Sequence, residues 1–163
     1  MKAAYFAGGC FWCITPVFAE HSGVKSVTAG YSGGQEINPS YEAVKSQSTL
    51  HRETIRIEYD ETHLSFAELG RIFLENVDAF DAGGQFIDRG RSYTLAVYYQ
   101  EEEERLTMER LLRELEEASG KKTFVALEEF SAFYDAEEYH QNYYLKNPEA
   151  FEEEMRSSGR RKG

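Results

Sequence analysis

The sequence predicts an α+β fold, a two-layer mixed sheet with helices around a ferredoxin-like βαββαβ core. Three observations carry that expectation. Residues 53–60, ETIRIEYD, alternate with period two, the mark of a half-buried strand. Residues 65–78, SFAELGRIFLENVD, set apolar side chains at helical spacing behind Ser65, with Glu68 three residues on, which is a capping-box signature. Strand and helix patterns then follow one another as β-α-β-β-α-β-α-β, and the first six form a split βαβ arrangement.

In order along the chain, KAAYFAGG reads as a short buried strand over Lys2–Phe6, closed by Gly8 and Gly9. Apolar periodicity from Phe11 to Glu20 predicts a helix ended near HSG. Val24 to Gly34 is a second strand running into a Gly-rich turn. A long connection follows, with one helical turn at Tyr41 to Lys45, and leads into the alternating strand and the capped helix. Residues 79–92, AFDAGGQFIDRGRS, lack periodicity and read as a loop. YTLAVYYQ is a strand, Glu101 to Ser119 an amphipathic helix and TFVALEE another strand. From Ser131 the chain is aromatic-rich, then helical around NPEAFEEEMR. A single catalytic domain is expected over residues 1–155, with a flexible basic tail over 156–163. The long loops 32–52 and 79–92 are the natural places for a site, since long loops in compact domains are usually functional.

At 163 residues the chain can bury roughly 70% of the surface its unfolded form exposes, so it has no need of disulfides. A net charge of −11 argues against nucleic acid, whose phosphates are met by basic surfaces. No run approaches the 18 or so apolar residues of a membrane span, and the start of MKAAYFAGG is too short for a signal-peptide core. Two cysteines in such a chain fit a reducing cytoplasm. A monomer is expected.

Both cysteines lie in AGGCFWC, residues 7–13. Cys10 follows a Gly pair at a strand-to-helix junction, where unpaired N–H groups and the helix dipole favour a thiolate. The competing reading is an inert buried thiol. Cys13, one helical turn on, stands at a separation a disulfide can bridge, about 5 to 6 Å between Cα atoms. Zinc is a poor fit, because the four histidines are scattered and no second CxxC exists. Phe11 and Trp12 place an apolar wall beside the thiol, suited to a small group such as a methyl; the plainer alternative is that both rings belong to the core.

These residues resemble the A-type peptide methionine sulfoxide reductases, whose GCFW signature carries the catalytic cysteine. The match continues in the family's order through GYSGG, NPSY, HRETIRIEYD, DRGRSY and YHQNYYLKNP, nearly the whole chain. The resemblance implies a methionine sulfoxide substrate, protein-bound and also free, with strict preference for the S epimer. Cys10 takes the place of the nucleophile, and Phe11 and Trp12 that of the walls holding the S-methyl group. Tyr41, Glu53 and Tyr93 match the groups that bind the sulfoxide oxygen, and Asp88 the acidic residue on the substrate's backbone side. The chemistry asks for such types: oxygen leaving sulfur must be protonated or held by donors, and a carboxyl kept neutral by burial supplies that proton.

The product is methionine with a sulfenic acid on Cys10, which a second thiol condenses to a disulfide. Thioredoxin or a similar dithiol then resets the enzyme, and no metal or organic cofactor is required. Relatives often carry Glu a few residues after GCFW, where this chain has Thr15 and Pro16, and recycling cysteines in a C-terminal tail, where it has none. The recycling thiol therefore stays open between Cys13 and an external donor, with Cys13 otherwise a core residue. Two rival readings are a general dithiol oxidoreductase and a non-catalytic module that binds oxidised methionine.

Overall fold

The computed structural model describes residues 1–157, and residues 158–163, most of the expected basic tail, lie outside them. Six strands form the main sheet: β1 (Lys2–Gly8), β2 (Val24–Ser32), β3 (Arg52–Tyr59), β6 (Leu95–Tyr99), β7 (Val125–Glu129) and β8 (Phe133–Asp135). Two further strands, β4 (Gly84–Gln85) and β5 (Asp88–Arg89), make a separate small hairpin. The helices are α1 (Phe11–Ala19), α2 (Tyr41–Lys45), α3 (Phe66–Glu75), α4 (Glu102–Ser119), α5 (Tyr143–Lys146) and α6 (Pro148–Ser157).

The sheet order is β7-β6-β1-β3-β2-β8. Its inner four strands pair antiparallel in the ferredoxin-like order, and β7 alone is parallel, beside β6. The outer strands β7 and β8 are consecutive in the chain, yet they occupy opposite edges. Four steps from Glu129 to Phe133 reach roughly 14 Å, whereas the edges of a flat six-stranded sheet stand roughly 24 Å apart. The sheet must therefore curl, and its twist carries the two edges toward each other. Phe130 and Phe133 at this junction cover the concave face, with Phe130 stacked on Tyr5 at 4.1 Å. β8 is the one strand of the sheet that the sequence pattern does not reveal; three residues are too few to show a period. Close approach there depends on Gly30, where a Cβ would lie 2.5 Å from the Tyr134 carbonyl oxygen.

On the convex face, α1, α3 and α4 bury the main core. Phe6 of β1 stacks on Phe18 of α1 and meets Phe73 of α3 with ring centroids 5.0 Å apart. The predicted capping box on α3 is present, with Ser65 Oγ accepting from the Glu68 amide at 3.1 Å. The expected loop over 79–92 holds the β4–β5 hairpin and a short 3-10 turn over Arg91–Tyr93.

The C-terminal end of β1 and the N-terminal ends of β3 and β6 meet at one end of the sheet. Phe6 pairs with Ile55 and Gly8 with Leu95, so residues just beyond Gly8 emerge between Glu53 and Tyr93. The registers alone bring together residues some 40 positions apart.

Candidate active site

Cys10 is the N-cap of α1, reached through Gly9, whose φ of +88° lies where side chains are strained. Its carbonyl accepts from the Cys13 and Ile14 amides, at 3.1 and 3.3 Å. The next free amide of the helix, that of Phe11, donates to Glu53 Oε1 at 3.2 Å. Glu53 is only 1% exposed, and its Oε2 has no hydrogen-bond partner. Burial leads in pushing its carboxyl up to about 8, and the nearby charges of Asp88 and Cys13 add to the rise. The Phe11 amide and the Tyr93 side chain oppose it.

The thiolate expected from the helix N-terminus is not what the structure holds. The hydrogen bond to Cys13 raises the Cys10 thiol well above its ordinary value, reinforced by burial and by the negative charges of Cys13, Glu53 and Asp88. The physical reason is local. Cys10 caps α1 but its side chain accepts no capping hydrogen bond from the helix amides, so nothing there offsets the burial and the neighbouring negative charges. Neither thiol is in a disulfide and the two are hydrogen-bonded to each other, Cys10 8% exposed and Cys13 1%.

Tyr41 opens α2 and is half-buried, while Tyr93 closes the short turn before β6 and is buried. Both phenols are raised, first by burial and then by the charges of Glu53 and Cys10, so they are neutral donors at any physiological pH. Asp88 comes from the β4–β5 hairpin, close enough for its charge to raise both Glu53 and Cys10. The structure thus brings all eight sequence-derived residues to one end of the sheet.

The two rings between the cysteines part ways. Phe11 is buried and packs against Tyr31 and His140, at 5.9 and 5.1 Å between centroids, so it belongs to the core as well as to the site. Trp12 is half-buried; its Nε1–H donates to His140 Nδ1 at 2.9 Å, and its ring stacks on Tyr143 at 4.1 Å and 12°. The neutral imidazole that accepts this bond suits His140, which burial lowers.

Sequence reasoning gave no role to four features found here. His140 holds the indole. Glu137 accepts from the Tyr31 hydroxyl at 2.8 Å and from the Tyr41 amide at 3.0 Å, tying the start of α2 to the C-terminal segment. Gln141 exchanges two hydrogen bonds with the Ala29 backbone, at 2.8 and 2.9 Å, and so fastens that segment to β2. Phe151 and Met155 of α6 pack with Cys10, Cys13 and Tyr93 in one buried cluster. The only advance signal was the YHQNYY stretch, whose motif named the place without naming the contacts.

Cys13 lies under α6, flanked by a cavity of about 270 Å³ that Tyr144 and Phe151 help to line, and by another of about 440 Å³ that Glu75 and Phe86 help to line. Among the described residues no group of three or more His, Cys, Asp or Glu side chains is arranged to hold a metal ion. No described helix is long and apolar enough to cross a membrane.

Comparison with known proteins agrees with this geometry. The family model described as peptide methionine sulfoxide reductase matches residues 2–163. A peptide methionine sulfoxide reductase MsrA of Bacillus velezensis is 41% identical over 161 residues, 98% of this chain and 91% of the relative. The reduced form of Mxr1 from Saccharomyces cerevisiae superposes with a TM-score of 0.85 at 26% identity, covering 91% of this chain and 86% of the other. A structure of Mxr1 in complex with Trx2 shares the fold, with a TM-score of 0.59 at 17% identity over 87% and 84% of the two chains. The chain belongs to the peptide methionine sulfoxide reductase family, in its A-type (MsrA) branch, and is an oxidoreductase acting on methionine sulfoxide.

Proposed function

We propose that Cys10 attacks the sulfur of a methionine S-sulfoxide whose methyl group rests between Phe11 and Trp12. Its oxygen points to Glu53, Tyr41 and Tyr93, and Asp88 binds the backbone side of the substrate. The observation that supports this best is the buried Glu53 carboxyl, neutral below about pH 8 and hydrogen-bonded at 3.2 Å to the amide following Cys10. A neutral carboxyl there donates to the oxygen as charge builds on it, and two un-ionised phenols share that load. The step balances without an outside proton. Cys10–SH and the sulfoxide become Cys10–S–OH and methionine, and Glu53 ends protonated as it began.

Cys13 then attacks the sulfenic acid, forming the Cys10–Cys13 disulfide and releasing water. The two thiols are near enough to interact directly, which supports this step. A dithiol reductant resets the pair. The yeast relative solved with Trx2 favours thioredoxin in that role. Protein-bound sulfoxides, free methionine sulfoxide, a monomeric enzyme and a reducing cytoplasm complete the reading. Each separated sulfoxide epimer, incubated with enzyme and dithiothreitol and assayed for methionine, tests it: release from the S epimer alone is expected, and release from neither would refute the reaction.

A further inference from the structure

A cavity of about 350 Å³ opens where the starts of β6 and β7 pair, between Arg52, Arg91, Thr94, Phe124 and Val125. Its charge is unlike that of the rest of the molecule. The chain carries 29 Asp and Glu against 18 Lys and Arg, and four other cavities are each lined by at least one carboxylate. The described residues that line this one include two arginines and no acidic side chain.

Arg52 is 4% exposed and stands beside Glu53 on β3, so the two side chains take opposite faces of the sheet. Its Nε donates to Thr94 Oγ1 at 2.8 Å, and its Nη1 to the Tyr98 hydroxyl at 3.0 Å and to Glu128 Oε2 at 3.1 Å. Nη2 bonds to none of the described residues and is not sealed off from solvent, so it is open toward the cavity. Arg91 belongs to the short turn that Tyr93 closes and is half-buried. Its Nε donates to the Leu50 carbonyl at 3.2 Å, while Nη1 and Nη2 have no partner among the described residues. Thr94 links the pair, accepting from Arg52 and donating to the Arg91 carbonyl oxygen at 2.7 Å. The Thr123 hydroxyl is spent on Glu116 at 3.1 Å. The side-chain donors left over in the cavity are therefore guanidinium N–H groups. One half-exposed carboxylate, Glu128, faces two cations.

We infer that this cavity binds a small oxyanion, a phosphate or a carboxylate, on Arg52 Nη2 and the two terminal nitrogens of Arg91. A buried cation is stable when its charge is met and its donors are filled. The planar fork of a guanidinium matches paired oxygens, and the apolar lining from Leu95, Val125 and Ala126 strengthens such bonds by excluding water. The Lys122 ammonium, 5.5 Å from the Phe124 ring centroid, adds positive charge at the rim, offset in part by Glu116. The site is separate from Cys10 and does not depend on the proposed reaction. It is nevertheless joined to the reaction's groups through the backbone. Arg52 adjoins Glu53 and Arg91 is two residues before Tyr93, so a bound anion ties the strand carrying the candidate acid to the turn carrying one of the phenols.

The test follows the arginine Nε–H resonances of isotopically labelled protein at fixed ionic strength, titrated with inorganic phosphate, citrate or chloride. Phosphate or citrate should shift Arg52 and Arg91 together and saturably, with a Kd of about 1 mM or tighter, and chloride should not. Saturation by phosphate alone assigns a phosphate site, and by citrate alone a carboxylate site. Arg91→Gln should weaken binding at least about tenfold. It should also remove the ligand's rise in thermal midpoint, about 4 °C at an about tenfold excess over Kd. A general salting effect would stabilise parent and variant alike. Arg52→Lys keeps the buried charge but lacks the fork, and should weaken binding as well. Arg105→Gln, on α4, should leave binding unchanged. Shifts that grow without saturating, or binding that survives Arg91→Gln, would mean an adventitious ion only and overturn the site.

Discussion

Glu53 Oε1 accepts the amide hydrogen of Phe11 across 3.2 Å, which holds a buried carboxyl against the first turn of the helix that Cys10 caps. One contact links the candidate acid to the candidate nucleophile. Ionised Glu53 would raise Cys10, and burial keeps Glu53 un-ionised up to about pH 8.

Glu53→Gln should separate nucleophile from acid. The amide keeps the shape but has no proton to transfer, so single-turnover reduction should slow by about 10²- to 10⁴-fold. Alkylation of Cys10 by iodoacetamide should shift toward lower pH, because a negative neighbour is gone. Parental single-turnover rates across the pH range would make Glu53 structural.

The pH dependence of stability has a definite sign. A carboxyl at about 8 in the folded protein and 4.5 in the unfolded one holds its proton more tightly when folded. Its contribution is complete below pH 4.5, declines above it and is lost as pH rises through 8. Urea midpoints of the parent should therefore fall between pH 6 and 9 more steeply than those of Glu53→Gln.

Cys10→Ser should abolish sulfoxide reduction while leaving the fold intact, since a hydroxyl is a far weaker nucleophile toward sulfur than the sulfur of a cysteine. Methionine release by the folded variant would transfer the nucleophile's role elsewhere.

Inverting the sulfur exchanges oxygen and lone pair, so the R epimer loses its donors at Glu53, Tyr41 and Tyr93 when its methyl group lies on Trp12. Single-turnover rates on R should be at least about 10²-fold below those on S, the cost of unmet polar partners. Comparable rates would contradict this arrangement.

Cys13→Ser should still release one methionine per enzyme, but thioredoxin-supported cycling should collapse and the Cys10 sulfenic acid become trappable by dimedone. Parental enzyme oxidised by substrate should retain no free thiol. A free Cys13 in that state would make it a packing residue and place recycling outside the chain. Because Cys13 lies beneath Phe151 and Met155, Phe151→Ala should also expose it, with alkylation of Cys13 at least about tenfold faster as local opening of α6 becomes easier.

The sequence by itself determined the order of the main strands and helices as far as β7, the capped helix α3, the helical turn at Tyr41–Lys45 and, through its motifs, the eight candidate residues whose roles are proposed here. Those are consequences of local periodicity and side-chain chemistry, which are written in consecutive residues. Tertiary structure decided the rest. The curl of the sheet follows from a three-residue link between strands at opposite edges. The capture of Trp12 by His140 spans 128 positions. The Cys10 thiol is raised, not lowered, because Cys13 binds the thiol, the fold buries it, and the charge of Glu53, 43 residues away in sequence, lies close by. Acidity depends on burial and on charges that arrive from distant segments, and no stretch of sequence records those until the strands have set their register.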